Sequence, residues 1–366
     1  MKNILLFIDD LGSGGAQRQI VYLAKLLKNS NNNVKLLRYG EADFFLDELT
    51  LNDIEITTIL SRTKIGRLLK IRKYIRMGWQ DVLISFLETP NFIANISSIG
   101  GKKWKVITSE RNAIETSFHG IKNKIYKKVE KYSDKIVCNS YNAKSLWIKY
   151  YPRFENKLYV IYNCVLDLSE LTTQSYDIRQ NGKTNMIVLG SFKSAKIPLG
   201  LLSALNLLTN EEKEKISIDW YGEKFAYDDN SLLYENVTEK INEYNLTNVI
   251  HLKNPSKQVY NKIIQYDVLG LFSEYEGFPN AVCEAMILSK PIIMTHVSDY
   301  NVLINDQNGI LCEWNKPDTI ACAIRKIISK SNSDLLEMGK ESRFIALKYM
   351  DCNVFIDNWL KVIGFD

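Results

Sequence analysis

The chain has 366 residues, 46% of them hydrophobic and 24% charged, which excludes a disordered or collagen-like protein. This length exceeds the size at which one hydrophobic core stops growing, so we expect two domains. No apolar run approaches the roughly 20 residues of a membrane-spanning helix. The run at residues 4–8 is too short for a signal peptide, and the six cysteines lack metal-ligand spacing, so we expect reduced thiols in a cytoplasmic protein.

Charge is distributed unevenly along the chain, although the formal net charge is only +5. Residues 1–166 carry 27 lysines and arginines against 15 aspartates and glutamates, and the remaining residues are acidic overall. An acidic partner for the first half is therefore expected. We favour an anionic membrane surface over nucleic acid, because no nucleic-acid-binding motif accompanies the charge.

Short apolar segments alternate with helix-length polar segments through the first half. The segments expected to be strands cover residues 4–8, 34–37, 54–59, 82–86, 106–109, 136–139 and 159–162. A glycine-rich loop at residues 10–15 follows the first strand, and apolar residues then recur at helical spacing from Ile20 to Leu27. This alternation predicts an α/β fold with a doubly wound parallel sheet.

Two basic segments of helical spacing interrupt this pattern. Residues 63–79 contain six basic residues, no acidic residue and several apolar ones, and residues 122–131 carry a second lysine run. A helix packed on the core with a solvated basic face explains either segment alone. Their coincidence in one basic domain favours a membrane-facing surface.

A polar stretch without periodicity separates the two expected domains. We place the first domain at residues 1–168, completed by a C-terminal helix at about 352–366, and the second at residues 184–351. Residues 169–183 then form the interdomain linker.

The second domain contains the most informative segment of the chain, residues 268–291. An apolar strand at residues 268–272 leads into a loop with Gly277, and Pro279 and Asn280 suit the start of a helix. A loop at the carboxyl end of a parallel strand lies where a ligand binds, and the first N–H groups of a helix attract phosphate.

Two carboxylates, Glu276 and Glu284, flank this loop. Eight helical residues would separate them by roughly 12 Å at ~1.5 Å per residue. The acid and nucleophile of a retaining glycosidase lie about 5 Å apart. The two glutamates are therefore expected to hold different parts of one long ligand.

Residues 276–293 resemble the signature of family 4 retaining glycosyltransferases, as found in bacterial surface-polysaccharide synthesis. A Glu-Gly-Phe-Pro-Asn run is followed by Glu284 and then by Lys-Pro-Ile-Ile at residues 290–293. The loops at residues 14–18 and 109–112 are also similar to loops of this family. The resemblance implies the GT-B fold, with two Rossmann-like domains facing each other across a donor cleft and a C-terminal helix crossing back to the first domain.

The resemblance also implies roles for individual residues. In this family the first glutamate contacts donor-sugar hydroxyls and the second contacts the ribose, while a basic pair after the first strand of the second domain holds the diphosphate. Lys196 matches one member of that pair, and Ser191 stands where an arginine is expected, with Lys193 near enough to substitute. The catalytic residues implied are Glu276, His119 and Arg111. The donor-binding residues implied are Gly15, Lys193, Lys196, Gly277, Phe278, Pro279, Asn280, Ala281 and Glu284.

The sequence thus predicts transfer of a sugar from a nucleotide-diphosphate sugar to a saccharide hydroxyl. We expect a lipid-linked acceptor at the inner face of the cytoplasmic membrane. No metal site and no cofactor are expected, because no Asp-x-Asp pair is present where a metal-dependent transferase holds one. Two alternatives remain open here: a nucleotide-sugar epimerase of GT-B architecture, and a non-catalytic partner protein suggested by Ser191.

Overall fold

Parallel β-sheets lie at the centre of both halves of the chain. The computed structural model describes residues 1–112, 114–165, 178–179, 182–224, 232–256 and 258–364. The chain divides into unit 1, formed by Met1–Cys164 with Cys352–Asp366, and unit 2, formed by Val165–Asp351. Most of the linker expected at residues 169–183 lies outside the described residues.

Unit 1 is built on a parallel sheet. Its strands are β1 (Asn3–Phe7), β2 (Asn33–Arg38), β3 (Glu55–Thr58), β4 (Val82–Phe86), β5 (Lys105–Glu110), β6 (Lys135–Cys138) and β7 (Leu158–Val160). They lie in the order β3-β2-β1-β4-β5-β6-β7. The strand order reverses between β1 and β4, and ligands of doubly wound sheets bind beyond the carboxyl ends of the strands at such a switch point.

Helices connect the strands of the unit 1 sheet. They are α1 (Gly15–Asn29), α2 (Leu46–Thr50), α3 (Lys64–Arg76), α4 (Glu88–Ser97), α5 (Ile121–Lys128) and α6 (Tyr141–Tyr150). The periodicity expected for α1 is confirmed, since Ile20, Leu23 and Leu27 are fully buried. Both basic helices, α3 and α5, pack against α4.

Unit 2 repeats the same architecture. Its strands are β8 (Thr184–Leu189), β9 (Ile216–Tyr221), β10 (Ile250–Lys253), β11 (Val268–Leu271), β12 (Ile292–Thr295) and β13 (Gly309–Cys312). All described pairs are parallel, in the order β10-β9-β8-β11-β12-β13. The switch point of this sheet therefore lies between β8 and β11.

The helices of unit 2 are followed in the chain by a last helix, which belongs to unit 1. They are α7 (Pro198–Asn206), α8 (Asn210–Glu214), α9 (Leu232–Glu243), α10 (Val259–Ile263), α11 (Asn280–Ile287), α12 (Tyr300–Leu303), α13 (Pro317–Ile328) and α14 (Asn332–Met350). The last helix, α15 (Cys352–Ile363), buries Trp359 against Phe86 of β4, with ring centroids 5.9 Å apart. Across the described residues, no helix has the length and apolarity needed to cross a membrane.

Candidate active site

The loops that follow β8 and β11 meet at the switch point of unit 2. Lys196 ends a short turn after β8, and its Nζ lies 2.5 Å from Oε1 of Glu276, which follows β11. Ser273 Oγ donates to the same carboxylate oxygen over 2.8 Å. Lys196 and Glu276 are 80 residues apart in the chain, and both were expected at the donor site from the sequence. The structure brings them into direct contact.

Hydrogen bonds from neighbouring strands hold the Glu276 loop in place. Thr295, at the end of β12, accepts from the Ser273 N–H and donates to the Ser273 carbonyl, over 3.0 and 2.6 Å. Ser298 Oγ donates to the Gly277 carbonyl over 2.5 Å. Sequence reasoning missed these two supporting residues, because hydroxyl side chains after a strand carry no distinctive pattern.

Helix α11 begins at Asn280, as the sequence predicts, but Pro279 rather than Asn280 occupies the N-cap position. The first turn of a helix presents N–H groups without intrahelical partners, together with the positive end of the helix dipole. Ala281 lies in that turn, whereas the Phe278 side chain is buried. Glu284 lies in the second turn and is only 3% exposed, so its carboxylate belongs to the interior of unit 2.

The lysines after β8 differ in their surroundings. The Lys196 ammonium is neutralised by Glu276, which reduces the positive charge it offers to another anion. Within the part of the chain that is described, no carboxylate lies at ion-pair distance from Lys193. Lys193 is therefore the better placed of the two to add positive potential at this strand end.

In unit 1, two carboxylates shape the glycine loop after β1. Asp10 accepts from the Gly12 N–H over 2.9 Å, and Asp9 accepts from the Gln17 side chain over 3.1 Å. Burial raises the pKa of the Asp9 carboxyl to about 6. Gly15 then starts α1. The sequence predicted the loop and Gly15, but not the raised pKa of the half-buried Asp9 carboxyl.

Arg111 and His119 lie in contrasting environments: Arg111 directly follows β5, whereas His119 comes later in the segment between β5 and α5. Arg111 is 8% exposed, stacks on Phe86 at 4.2 Å and donates to Asn163 over 3.2 Å. Burial lowers the pKa of its guanidinium to about 9. His119 is exposed, with the ring of Tyr150 5.1 Å away. No hydrogen bond or ring contact among the described residues joins Arg111 to His119.

Two family models match consecutive parts of the chain. The model described as "Glycosyltransferase Family 4" matches residues 13–166, and the model described as "Glycosyl transferases group 1" matches residues 174–343. The chain belongs to the family 4 glycosyltransferases. It is a nucleotide-sugar-dependent enzyme, which removes the epimerase and the non-catalytic protein as alternatives.

Two curated relatives of this glycosyltransferase are enzymes of Campylobacter jejuni. It is 23% identical over 90% of both chains to the N-acetylgalactosamine-N,N'-diacetylbacillosaminyl-diphospho-undecaprenol 4-alpha-N-acetylgalactosaminyltransferase. It is also 23% identical, over 100% of this chain and 99% of the relative, to the GalNAc-alpha-(1->4)-GalNAc-alpha-(1->3)-diNAcBac-PP-undecaprenol alpha-1,4-N-acetyl-D-galactosaminyltransferase.

Solved structures show that the glycosyltransferase has the GT-B fold. Anabaena Alr3699/HepE in complex with UDP-glucose superposes with a TM-score of 0.84 at 14% identity, over 99% of each chain. The apo form of the lipopolysaccharide outer core galactosyltransferase WaaB superposes with a TM-score of 0.74 at 16% identity, over 99% of each chain.

Replacing Lys193 of the glycosyltransferase by alanine should weaken binding of a nucleoside diphosphate by about tenfold, because we assign Lys193 one charge-assisted contact to phosphate. The loss should shrink as salt is raised. Isothermal titration calorimetry at two salt concentrations measures both effects. Lys215→Ala, an exposed lysine just before β9, is the matched control. Equal affinities for Lys193→Ala and the control would show that Lys193 does not contact the phosphates.

Proposed function

We propose that this glycosyltransferase moves a sugar, with retention of anomeric configuration, from a nucleotide-diphosphate sugar to a hydroxyl of a saccharide carried on a lipid diphosphate. The observation that supports this most is the match, over nine-tenths or more of the chain, to two enzymes whose names specify undecaprenol-linked saccharides. Both belong to glycan assembly on a lipid carrier, which fits the expected role in polysaccharide synthesis.

The residues around Glu276 support donor binding in unit 2. A carboxylate held by Lys196 and Ser273 keeps a fixed orientation and is a strong acceptor for sugar hydroxyls. Lys193 and the first turn of α11 add positive potential for the diphosphate. In the proposed mechanism these groups stabilise the departing diphosphate, and no metal is required.

The acceptor side is assigned to unit 1. Arg111 directly follows β5, and Gly15 starts α1 after the loop that follows β1, so both lie beyond the carboxyl ends of strands near the β1–β4 switch point. His119 lies farther along the chain, beside Tyr150 at the end of α6. We assign Arg111 and His119 to contacts with the donor sugar or acceptor, and Gly15 to close approach of the backbone to the donor phosphates.

A panel of UDP-, GDP-, ADP- and TDP-sugars tests the donor assignment by thermal shift, with and without a metal chelator. A ligand that binds only the folded state stabilises it by mass action. One nucleotide sugar should raise the melting temperature above the others, with no effect of chelator. A shift that chelator abolishes would contradict metal-independent donor binding, and no shift with any sugar would contradict donor binding by the chain alone.

We further propose that the enzyme works at an anionic membrane surface through α3 and α5. Helix α3 exposes Ile65 and Leu69 beside basic residues, and α5 exposes Ile121 and Ile125 in the same way. Apolar side chains among cations suit the headgroup region of an anionic bilayer. Lys127 is excluded from this surface because it is buried in an ion pair with Glu110.

Reversing two charges on α3, Lys70→Glu with Lys73→Glu, should reduce binding to anionic vesicles at low salt by about 30-fold or more. The loss of two basic residues alone removes about 2 kcal/mol, at roughly 1 kcal/mol per basic residue near the surface. Both side chains are exposed, so the fold should be preserved. Co-sedimentation with anionic and neutral vesicles measures the effect. The control reverses the exposed Lys326 and Lys330 of unit 2. Equal loss in both double variants would show that net charge, rather than this surface, governs binding.

A further inference from the structure

Two cysteines of unit 1 lie at the two points where the chain passes between the units. The first part of unit 1 ends at Cys164, and its second part begins at Cys352. Although far apart in the sequence, the two side chains meet in the structure, where their thiols are hydrogen-bonded to each other. We call these two residues the crossing pair.

Backbone contacts hold the two crossing points of the chain beside each other. The Val165 N–H donates to the Met350 carbonyl over 3.0 Å, which joins the two crossings directly. The backbone of Cys164 is fixed to α1, because its N–H donates to the Gln19 side chain over 3.0 Å and its carbonyl accepts from that side chain over 2.8 Å. Helix α1 also packs against α15, whose first residue is Cys352. The contact between the two thiols therefore follows from the backbone fold.

The two thiols of the crossing pair differ in their access to solvent. Cys164 is only 1% exposed, and burial together with the neighbouring Cys352 thiol raises the pKa of its thiol. Cys352 is half-buried and is the first residue of α15, a helix of 12 residues whose positive end favours a thiolate. An accessible thiol beside a buried one is the arrangement in which oxidation of the first leads to a disulfide with the second.

We propose that Cys164 and Cys352 form a reversible disulfide when the enzyme meets hydrogen peroxide, and that this bond lowers turnover. The Cys352 thiolate attacks one peroxide oxygen and becomes a sulfenic acid, while the other oxygen leaves as hydroxide and takes up the proton that Cys352 released. The Cys164 thiol then attacks the sulfenic sulfur, and the S–S bond forms as water leaves. Two thiols are oxidised and one peroxide is reduced to two waters, so a dithiol reductant reverses the change.

The effect on turnover comes from the position of Arg111 beside the crossing pair. Asn163, directly before Cys164, accepts a hydrogen bond from the Arg111 guanidinium over 3.2 Å, and the guanidinium is within electrostatic range of the Cys164 thiol. A covalent bond draws two sulfur atoms closer than a hydrogen bond does, and a close-packed interior passes such a shift to its neighbours. We therefore expect the disulfide to displace Arg111. This effect on turnover rests on the proposed function, whereas formation of the disulfide does not.

Mass spectrometry of the purified enzyme before and after exposure to hydrogen peroxide tests the disulfide. The oxidised wild type should lose the mass of two hydrogen atoms, and peptide mapping should show a bond between Cys164 and Cys352. The kcat for transfer to an undecaprenyl-diphosphate-linked saccharide should fall about tenfold, because a small displacement of a group at the reaction centre is costly. Dithiothreitol should restore both the mass and the kcat.

Two cysteine variants separate this disulfide from other oxidation. Cys352→Ser should have the kcat of reduced wild type both before and after peroxide, because the accessible thiol of the pair is absent. Cys322→Ser is the matched control, since Cys322 is an exposed cysteine on α13 of unit 2. This control should form the disulfide and lose kcat as wild type does. Cys352→Ala carries the same test if serine disturbs the start of α15.

The remaining outcomes would overturn the inference in distinguishable ways. A mapped bond to any other cysteine, or oxidation of Cys352 to a sulfinic acid without a disulfide, would refute the crossing pair as a disulfide site. A bond between Cys164 and Cys352 with unchanged kcat would refute its effect on turnover. An equal loss of kcat in Cys352→Ser and wild type would assign that loss to another oxidised group. Absence of turnover by reduced wild type with every lipid-linked saccharide would refute the proposed function, while the mass measurement still decides the disulfide.

Discussion

Replacing Glu276 by glutamine is expected to lower kcat by about 100-fold, the size of loss seen when one well-placed transition-state contact is removed. The amide keeps the shape of the carboxylate but is a weaker acceptor for sugar hydroxyls. It also frees Lys196, whose ammonium is otherwise paired with Glu276. The variant should therefore bind free nucleoside diphosphate at least as tightly as wild type does. Its affinity for the nucleotide sugar should fall to that for the free nucleoside diphosphate.

Kinetics and calorimetry together test this expectation. The matched control is Glu274→Gln, an exposed carboxylate two residues earlier in the same loop. A Glu276→Gln enzyme with wild-type kcat would exclude the contact with the transferred sugar. Weaker binding of the free nucleoside diphosphate would instead place Glu276 next to the nucleotide.

Replacing Glu284 by glutamine should lower the affinity for both the nucleotide sugar and the free nucleoside diphosphate by about tenfold to a hundredfold. The reason is that we assign the Glu284 carboxylate to the ribose, which both ligands contain. The side chain is buried in α11, so glutamine is preferred to alanine to avoid a cavity. Isothermal titration with the two ligands measures the losses, and melting temperatures confirm folding.

The pattern of losses distinguishes the two glutamates. Glu284→Gln should reduce affinity for both ligands equally, whereas Glu276→Gln should affect only the sugar-bearing one. A Glu284→Gln protein that binds nucleoside diphosphate with wild-type affinity would exclude the proposed contact with the ribose. A loss of affinity for the nucleotide sugar alone would show that Glu284 contacts the sugar of the donor.

Local patterns made much of the fold predictable. The spacing of Ile20, Leu23 and Leu27 predicts the buried face of α1, and all three residues are buried. The start of α11 follows from Pro279 and Asn280, whose backbone preferences act within a few residues. Such features need no knowledge of the distant chain, which is why the sequence alone predicts them.

Long-range pairing could not be predicted in the same way. The Lys196–Glu276 ion pair depends on β8 lying beside β11, and no local pattern records that adjacency. Lys127 has the spacing of a surface lysine but is buried, because Glu110 at the end of β5 offers it a partner. Charge in a sequence indicates exposure only when no buried counter-charge is available.

Arg111 shows a third kind of limit. It was expected at the site through a family resemblance. The structure adds that its guanidinium is buried and that no carboxylate among the described residues pairs with it.

The most direct test of the proposed function is to identify the product. Purified enzyme is incubated with the nucleotide sugar selected by thermal shift and an undecaprenyl-diphosphate-linked saccharide, and the product is examined by mass spectrometry and NMR. We predict that the lipid-linked saccharide gains one sugar, in the anomeric configuration of the donor. Inversion at the anomeric carbon, or release of free sugar without extension of the lipid-linked saccharide, would contradict the proposal.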